Sequence, residues 1–119
     1  MNGEPLLNAI FFRNDSGRAP VQQWLKELDK ADRKAIGEDI KLVQFRWPLG
    51  MPLVRKIEAD LWEIRSNLSK KRIARIFFTI RGNEIALLQG FIKKSQNIPQ
   101  RDLNLARNRK NLWQREVST

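Results

Sequence analysis

Arg65, Arg75 and Lys93 stand at alternating positions of segments that read as extended strands, each a cation where an apolar residue is the rule. Along Leu61–Arg65 the alternation puts Trp62 and Ile64 on one side and Leu61, Glu63 and Arg65 on the other. Along Ile73–Arg81 the two sides are Ala74, Ile76, Phe78, Ile80 and Ile73, Arg75, Phe77, Thr79, Arg81. With Gln89 and Lys93 from the segment Ile85–Lys93, Arg65 and Arg75 have the parity of a single sheet face. An arginine inside an apolar strand is expensive to bury without a partner. Two readings of Arg75 follow: a structural ion pair, with Glu63 the obvious acid, or capture of a phosphate on an open, concave face. A guanidinium suits the second because it is planar, permanently charged and bidentate. Lys93 and Lys94 either extend such a site or form a solvated strand end. Arg55 and Lys56 read as a solvated loop rather than a site. Phe77 and Phe91 could stack bases, although a small second core under a C-terminal helix fits their pattern better. Trp24, Trp47 and Trp62 fall on core faces.

Other chemistry is excluded by what is missing. The chain has no His, Cys or Tyr, which removes the commonest general base and transition-metal ligand, the thiolate and the phenol. No glycine-rich phosphate loop, carboxylate cluster or nucleophile motif stands in the sequence. No metal and no cofactor are therefore expected, and any catalysis falls to Arg, Lys, an amide or one carboxylate.

The charge is unevenly placed. Residues 1–64 hold ten Lys/Arg and ten Asp/Glu, whereas residues 65–119 hold thirteen Lys/Arg against Glu84, Asp102 and Glu116, so the whole excess of +10 lies in the second part. A one-sided excess of this size points to a polyanion, with RNA as the expected partner. The apolar runs are too short for a membrane span, and the N-terminus lacks the basic and apolar regions of a secretory signal. A cytoplasmic location and no membrane partner are expected.

The elements that must position these residues are legible from period and punctuation. Leu6–Phe12 reads as a strand ended by the turn-rich Arg13–Gly17. Pro20 suits the first turn of a helix whose stripe is Val21, Trp24, Leu25, Leu28. A second helix begins after Asp29, the expected cap, and carries Ile36, Ile40, Val43 and Trp47 until Pro48 stops it. Strands at Leu61–Arg65, Ile73–Arg81 and Ile85–Lys93 follow, the last two joined by Arg81-Gly82-Asn83. Pro99 opens a C-terminal helix. The 119 residues are expected to form one α+β domain, β-α-α-β-β-β-α, with a small, mainly antiparallel sheet. Two helices cover one face; the opposite face is basic and partly open.

At Leu61-Trp62-Glu63-Ile64-Arg65, Arg75-Ile76-Phe77-Phe78 and Leu87-Leu88-Gln89-Gly90-Phe91-Ile92-Lys93-Lys94-Ser95-Gln96-Asn97-Ile98-Pro99 the sequence resembles the phage-derived, HigB-like branch of the RelE/ParE superfamily of bacterial toxins. The resemblance spans nearly the whole chain and implies a RelE-like fold. It also implies a metal-independent endoribonuclease that cuts mRNA in the ribosomal A site and is held inactive by a helix-turn-helix antitoxin of the HigA type. Arg65 and Arg75 match the strand arginines of that family, and Lys93 and Lys94 its lysine pair, so these four are the expected catalytic residues. Several relatives use a His or Tyr as acid or base, and this chain has neither. Lys56 is the loosest match. Lys56, Lys70, Lys71, Arg72, Arg81, Gln89, Gln96 and Arg107 are the expected RNA contacts. An Arg75→Ala change is expected to abolish cleavage with the fold retained. Two competing readings are a ParE-like toxin that poisons DNA gyrase and a non-catalytic RNA-binding module.

Overall fold

The computed structural model describes residues 3–93 and 97–118. A first strand, β1 (Asn8–Phe11), is followed by two helices, α1 (Pro20–Lys26) and α2 (Lys30–Arg46). Strands β2 (Val54–Glu58) and β3 (Leu61–Asn67), a 3-10 turn at Ser69–Lys71, strands β4 (Ile73–Arg81) and β5 (Glu84–Lys93) and helix α3 (Gln100–Ser118) complete the chain. The five strands form one sheet in the order β1-β5-β4-β3-β2. The β1–β5 pair is parallel and the other pairs are antiparallel. The architecture is the α+β one expected, with one strand more than the sequence pattern suggested.

That extra strand is β2. Its residues Val54-Arg55-Lys56-Ile57-Glu58 are too polar to read as a strand, and it lies at the sheet edge with β3 as its neighbour in the sheet. Arg55 and Lys56 are thus strand residues, not a loop. Alternation directs Arg55 and Ile57 to one face and Val54 and Lys56 to the other.

Helices α1 and α2 cover one face of the sheet. Val21 and Leu25, then Ile36, Ile40 and Val43, pack on Ile64, Ile76, Phe78, Ile85 and Leu87. Trp47 and Trp62 lie edge to face with ring centroids 5.2 Å apart, and Trp24 packs on the same core. Pro20 opens α1, and Pro48 follows Trp47, the C-cap of α2, as expected. Asp29 occupies the N-cap position of α2 but makes no side-chain cap bond. The expected cap is therefore absent; the first turn instead buries Asp32, which Arg72 holds through two bonds of 2.9 and 3.0 Å.

The opposite face carries a second core of Phe12, Leu61, Phe77, Ala86, Leu88, Phe91, Ala106 and Trp113, closed by α3. Phe77 and Phe91 meet at 5.6 Å inside it, so they pack under the C-terminal helix. A bulge in β5 makes this possible. Phe77 pairs with Gln89 and Phe78 with Leu87, so Leu88 is the extra residue. It swings Gln89, Phe91 and Lys93 onto the α3 face while Leu87 stays in the main core.

The same bulge turns Gly90 toward α1. A Cβ at Gly90 would stand 2.5 Å from Cζ3 and 2.6 Å from Cε3 of Trp24. Gly90→Ala should therefore force the indole out of place and lower stability by about 1–3 kcal/mol, as overpacking does; the urea midpoint measures it.

Polar clasps hold α3 to the sheet. Gln89 Nε2 donates to Asp102 Oδ1 at 2.7 Å, and Arg109 Nη1 donates to Leu88 O at 2.9 Å and to Gln89 Oε1 at 2.5 Å. Arg107 Nη2 lies 2.7 Å from Glu58 Oε1, bridging α3 to β2. The bond from Arg107 holds the Glu58 carboxyl below its ordinary value of 4.5. A lowered native pKa gives stability that is present above the unfolded value and lost as pH falls through the folded one. Amide exchange in α3, corrected for its intrinsic rate, should quicken below pH 4.5, and Glu58→Gln should flatten that dependence.

Candidate nucleic-acid interface

Three adjacent strands bring three arginines to one carboxylate. Register places Arg55 opposite Glu63 and Arg65 opposite Arg75, all on the α3 side of the sheet. Glu63 is wholly buried; Arg55 Nε lies 3.1 Å and Arg65 Nε 3.6 Å from its Oε1. Burial raises the Glu63 carboxyl above its ordinary value, while Arg55, Arg75 and Arg65 pull it down. Burial also lowers Arg75, against the pull of Glu63. Three guanidiniums around one carboxylate leave a local excess of positive charge in a low-dielectric setting, where a further anion is attracted strongly.

Access to the three differs. The Arg55 side chain is 33% exposed and that of Arg65 15%, whereas Arg75 is 0% exposed. The expectation that Arg75 lies on an open face is thus corrected: packing under Phe91 and its neighbours closes the face there, and Arg75 stands behind the other two. Of the two sequence readings of Arg75, the structural one has support in the electrostatic pull between Arg75 and Glu63. Arg65 also lines a cavity of about 300 Å³ with Glu38, Asp39, Pro52, Leu53 and Asn67.

Lys93 is exposed at the end of β5 opposite Ile73, one row beyond the Arg75–Phe91 pair, a diagonal separation of roughly 7–8 Å between backbones. Lys94 and Gln96 lie outside the described residues. Lys56 pairs with Trp62 and belongs to the other face, so the structure does not bring it to the cluster. Lys70 and Lys71 are exposed in the β3–β4 turn, both with positive φ. Arg72 beside them is committed to Asp32, which raises its pKa. Gln89 and Arg107 serve the α3 clasps, and Arg81 Nη1 donates to Gln114 O at 3.2 Å. Arg72, Arg81, Gln89 and Arg107 thus each hold a contact within the fold.

Arg55 is the member of the cluster that the sequence pattern read as a loop residue. The signal was present in the alternation of Val54 and Arg55 with Ile57, but Pro52 before it and Asp60 after it mask so short a period. Among the described residues no group of three or more acidic side chains could hold a metal ion, and no helix is long and apolar enough to cross a membrane.

A family model described as phage derived protein Gp49-like (DUF891) matches residues 23–111. The match runs from α1 into α3 and includes Arg55, Glu63, Arg65, Arg75 and Lys93. No curated protein matches the sequence.

Proposed function

The chain belongs to the phage-derived Gp49-like family, which is associated with the toxins of toxin–antitoxin systems, and from that premise we propose that it is a toxin acting as a ribosome-dependent mRNA endoribonuclease of the HigB-like type. The observation that carries this reading is the convergence of Arg55, Arg65 and Arg75 on Glu63, with the first two reaching solvent. The five-stranded α+β architecture is compatible with a RelE-like fold.

RNA carries its own nucleophile. The 2′-oxygen attacks the adjacent phosphorus, the P–O5′ bond breaks, and a 2′,3′-cyclic phosphate and a 5′-hydroxyl result. The proton of the 2′-OH is released and one is delivered to the leaving O5′. The phosphoryl oxygens gain negative charge in the transition state, where pre-aimed donors act most strongly. Arg65, with Arg55 beside it, meets those oxygens. Arg75 acts from behind, adding charge and fixing Glu63. Lys93 or Lys94 protonates the leaving oxygen. With no imidazole present, the chain depends on the ribosome to align the 2′-OH and phosphorus, and alignment supplies several kcal/mol of the barrier. A helix-turn-helix antitoxin of the HigA type, offering carboxylates to the basic half, is the expected inhibitor.

A second reading, a non-catalytic RNA-binding module, is favoured by the complete burial of Arg75 together with the absence of His and Tyr. Expressing the chain alone and mapping mRNA 5′ ends separates the readings. New ends at fixed positions within translated codons support the nuclease. Growth arrest without new ends rejects it, and DNA breaks in that case indicate gyrase poisoning.

A further inference from the structure

A cavity of about 720 Å³ opens on the α1 side of the molecule, away from the arginine cluster. Arg13 and Arg18 from the β1–α1 loop, Gln22, Gln23 and Glu27 from α1 and its end, and the indole of Trp24 line it. We propose that this cavity binds one unpaired ribonucleotide of the RNA that the protein engages, its base against Trp24 and its phosphate on Arg13 and Arg18.

Each part of that ligand has a counterpart in the wall. The indole is pinned in place by Gly90, whose missing Cβ leaves room for the ring against the sheet, and a fixed aromatic surface binds any base without reading its identity. Gln22 and Gln23 carry both donors and acceptors for the edge of a base. Two arginines against Glu27 leave a positive excess suited to the single charge of a phosphodiester. Glu27 is placed to accept from a base amine or a ribose 2′-OH, whereas it would repel the carboxylates of an acidic peptide. Hydrogen bonds within the loop fix its shape. Arg13 Nη1 donates to Gly17 O at 2.8 Å, and the Asn14 side chain accepts from the backbone of Ser16 and Arg18.

The cavity and the cluster lie on opposite faces of the sheet and come nearest each other at the Lys93 end of β5. Trp24 lies over Gly90, three residues before Lys93 on β5, a distance of about 10 Å along a strand. Strand β1 pairs with β5 over Glu84–Leu87, so RNA that engages both Lys93 and the cavity would have to round the end of the sheet. This inference rests on RNA being the partner, and adds to that reading a second contact on the other face of the sheet.

The test needs no ribosome and no cleavage. The ¹⁵N-labelled chain is titrated with the 5′-phosphorylated trinucleotide pApApA, with inorganic phosphate and with tetraglutamate. The indole signals of the four tryptophans are followed, and Trp24→Phe identifies the one that matters. The trinucleotide should move the Trp24 indole saturably, and Arg13→Gln with Arg18→Gln should weaken the response about tenfold or more through loss of phosphate contacts. An unmoved Trp24, an unchanged response in the double variant, or an equal response to phosphate or tetraglutamate overturns the proposal. A photo-crosslinker at Gln23 on translating ribosomes then tells the source: attachment to mRNA or to ribosomal RNA supports the site, and attachment to neither overturns it. Binding without cleavage would spare this inference and reject the nuclease step; cleavage without binding would do the reverse.

Discussion

Replacing Glu63 by alanine is expected to lower the unfolding free energy by about 3–5 kcal/mol, the usual result of removing one partner from a buried charged network. The side chain is wholly buried among Arg55, Arg65 and Arg75. Alanine would leave Arg75, itself wholly buried, without that carboxylate and beside two like charges. Glu63→Gln keeps the shape and one acceptor oxygen, so its loss should be smaller. Urea unfolding at neutral pH reads both: the midpoint should fall in the order wild type, Gln, Ala, with the slope unchanged. An Ala variant as stable as the wild type would show that the arginines do not depend on Glu63, and the cluster would lose its meaning as a unit.

Arg65→Ala is expected to reduce cleavage on ribosomes by roughly 10²–10³-fold, the range for removing one pre-aimed donor from a developing oxyanion. Stability should change by only about 1 kcal/mol, because Arg55 and Arg75 still flank Glu63. Arg65→Lys keeps the charge and loses the fork, and should recover part of the rate. Arg75→Ala makes a useful contrast. The sequence alone suggests a loss of activity on an intact fold, but a wholly buried guanidinium cannot be truncated so cleanly. Activity and stability should fall together there, whereas Arg65→Ala separates them. The kinetic comparison is made on purified variants with matched folded fractions, and equal cleavage by wild type and Arg65→Ala would remove Arg65 from the site.

Much of the fold was legible because period and punctuation agreed. The stripe Val21, Leu25 and Ile36, Ile40, Val43 did become buried helix faces, and Ile73–Arg81 is the central strand. What escaped was set by distance along the chain. Asp32 meets Arg72 across 40 residues and Glu58 meets Arg107 across 49, so neither pairing leaves a local trace, and two arginines expected to contact RNA also tether the fold. The edge strand β2 escaped because its residues are mostly polar, and with it went Arg55. Arg65, Arg75 and Lys93 were legible from alternation alone, since a cation in an apolar strand stands out. Their differing depth was not, because it follows from how α3 and the β5 bulge close over the sheet.

The proposed ribosome-dependent nuclease is tested most directly on a stalled ribosome. Purified protein should be added to ribosomes stalled on a defined mRNA with an empty A site, and to the same mRNA free in solution. A break within the A-site codon, leaving a 2′,3′-cyclic phosphate and a 5′-hydroxyl, is expected on the ribosome, with negligible cutting of free RNA. An intact mRNA on the ribosome, or cutting of free RNA at an equal rate, would contradict it.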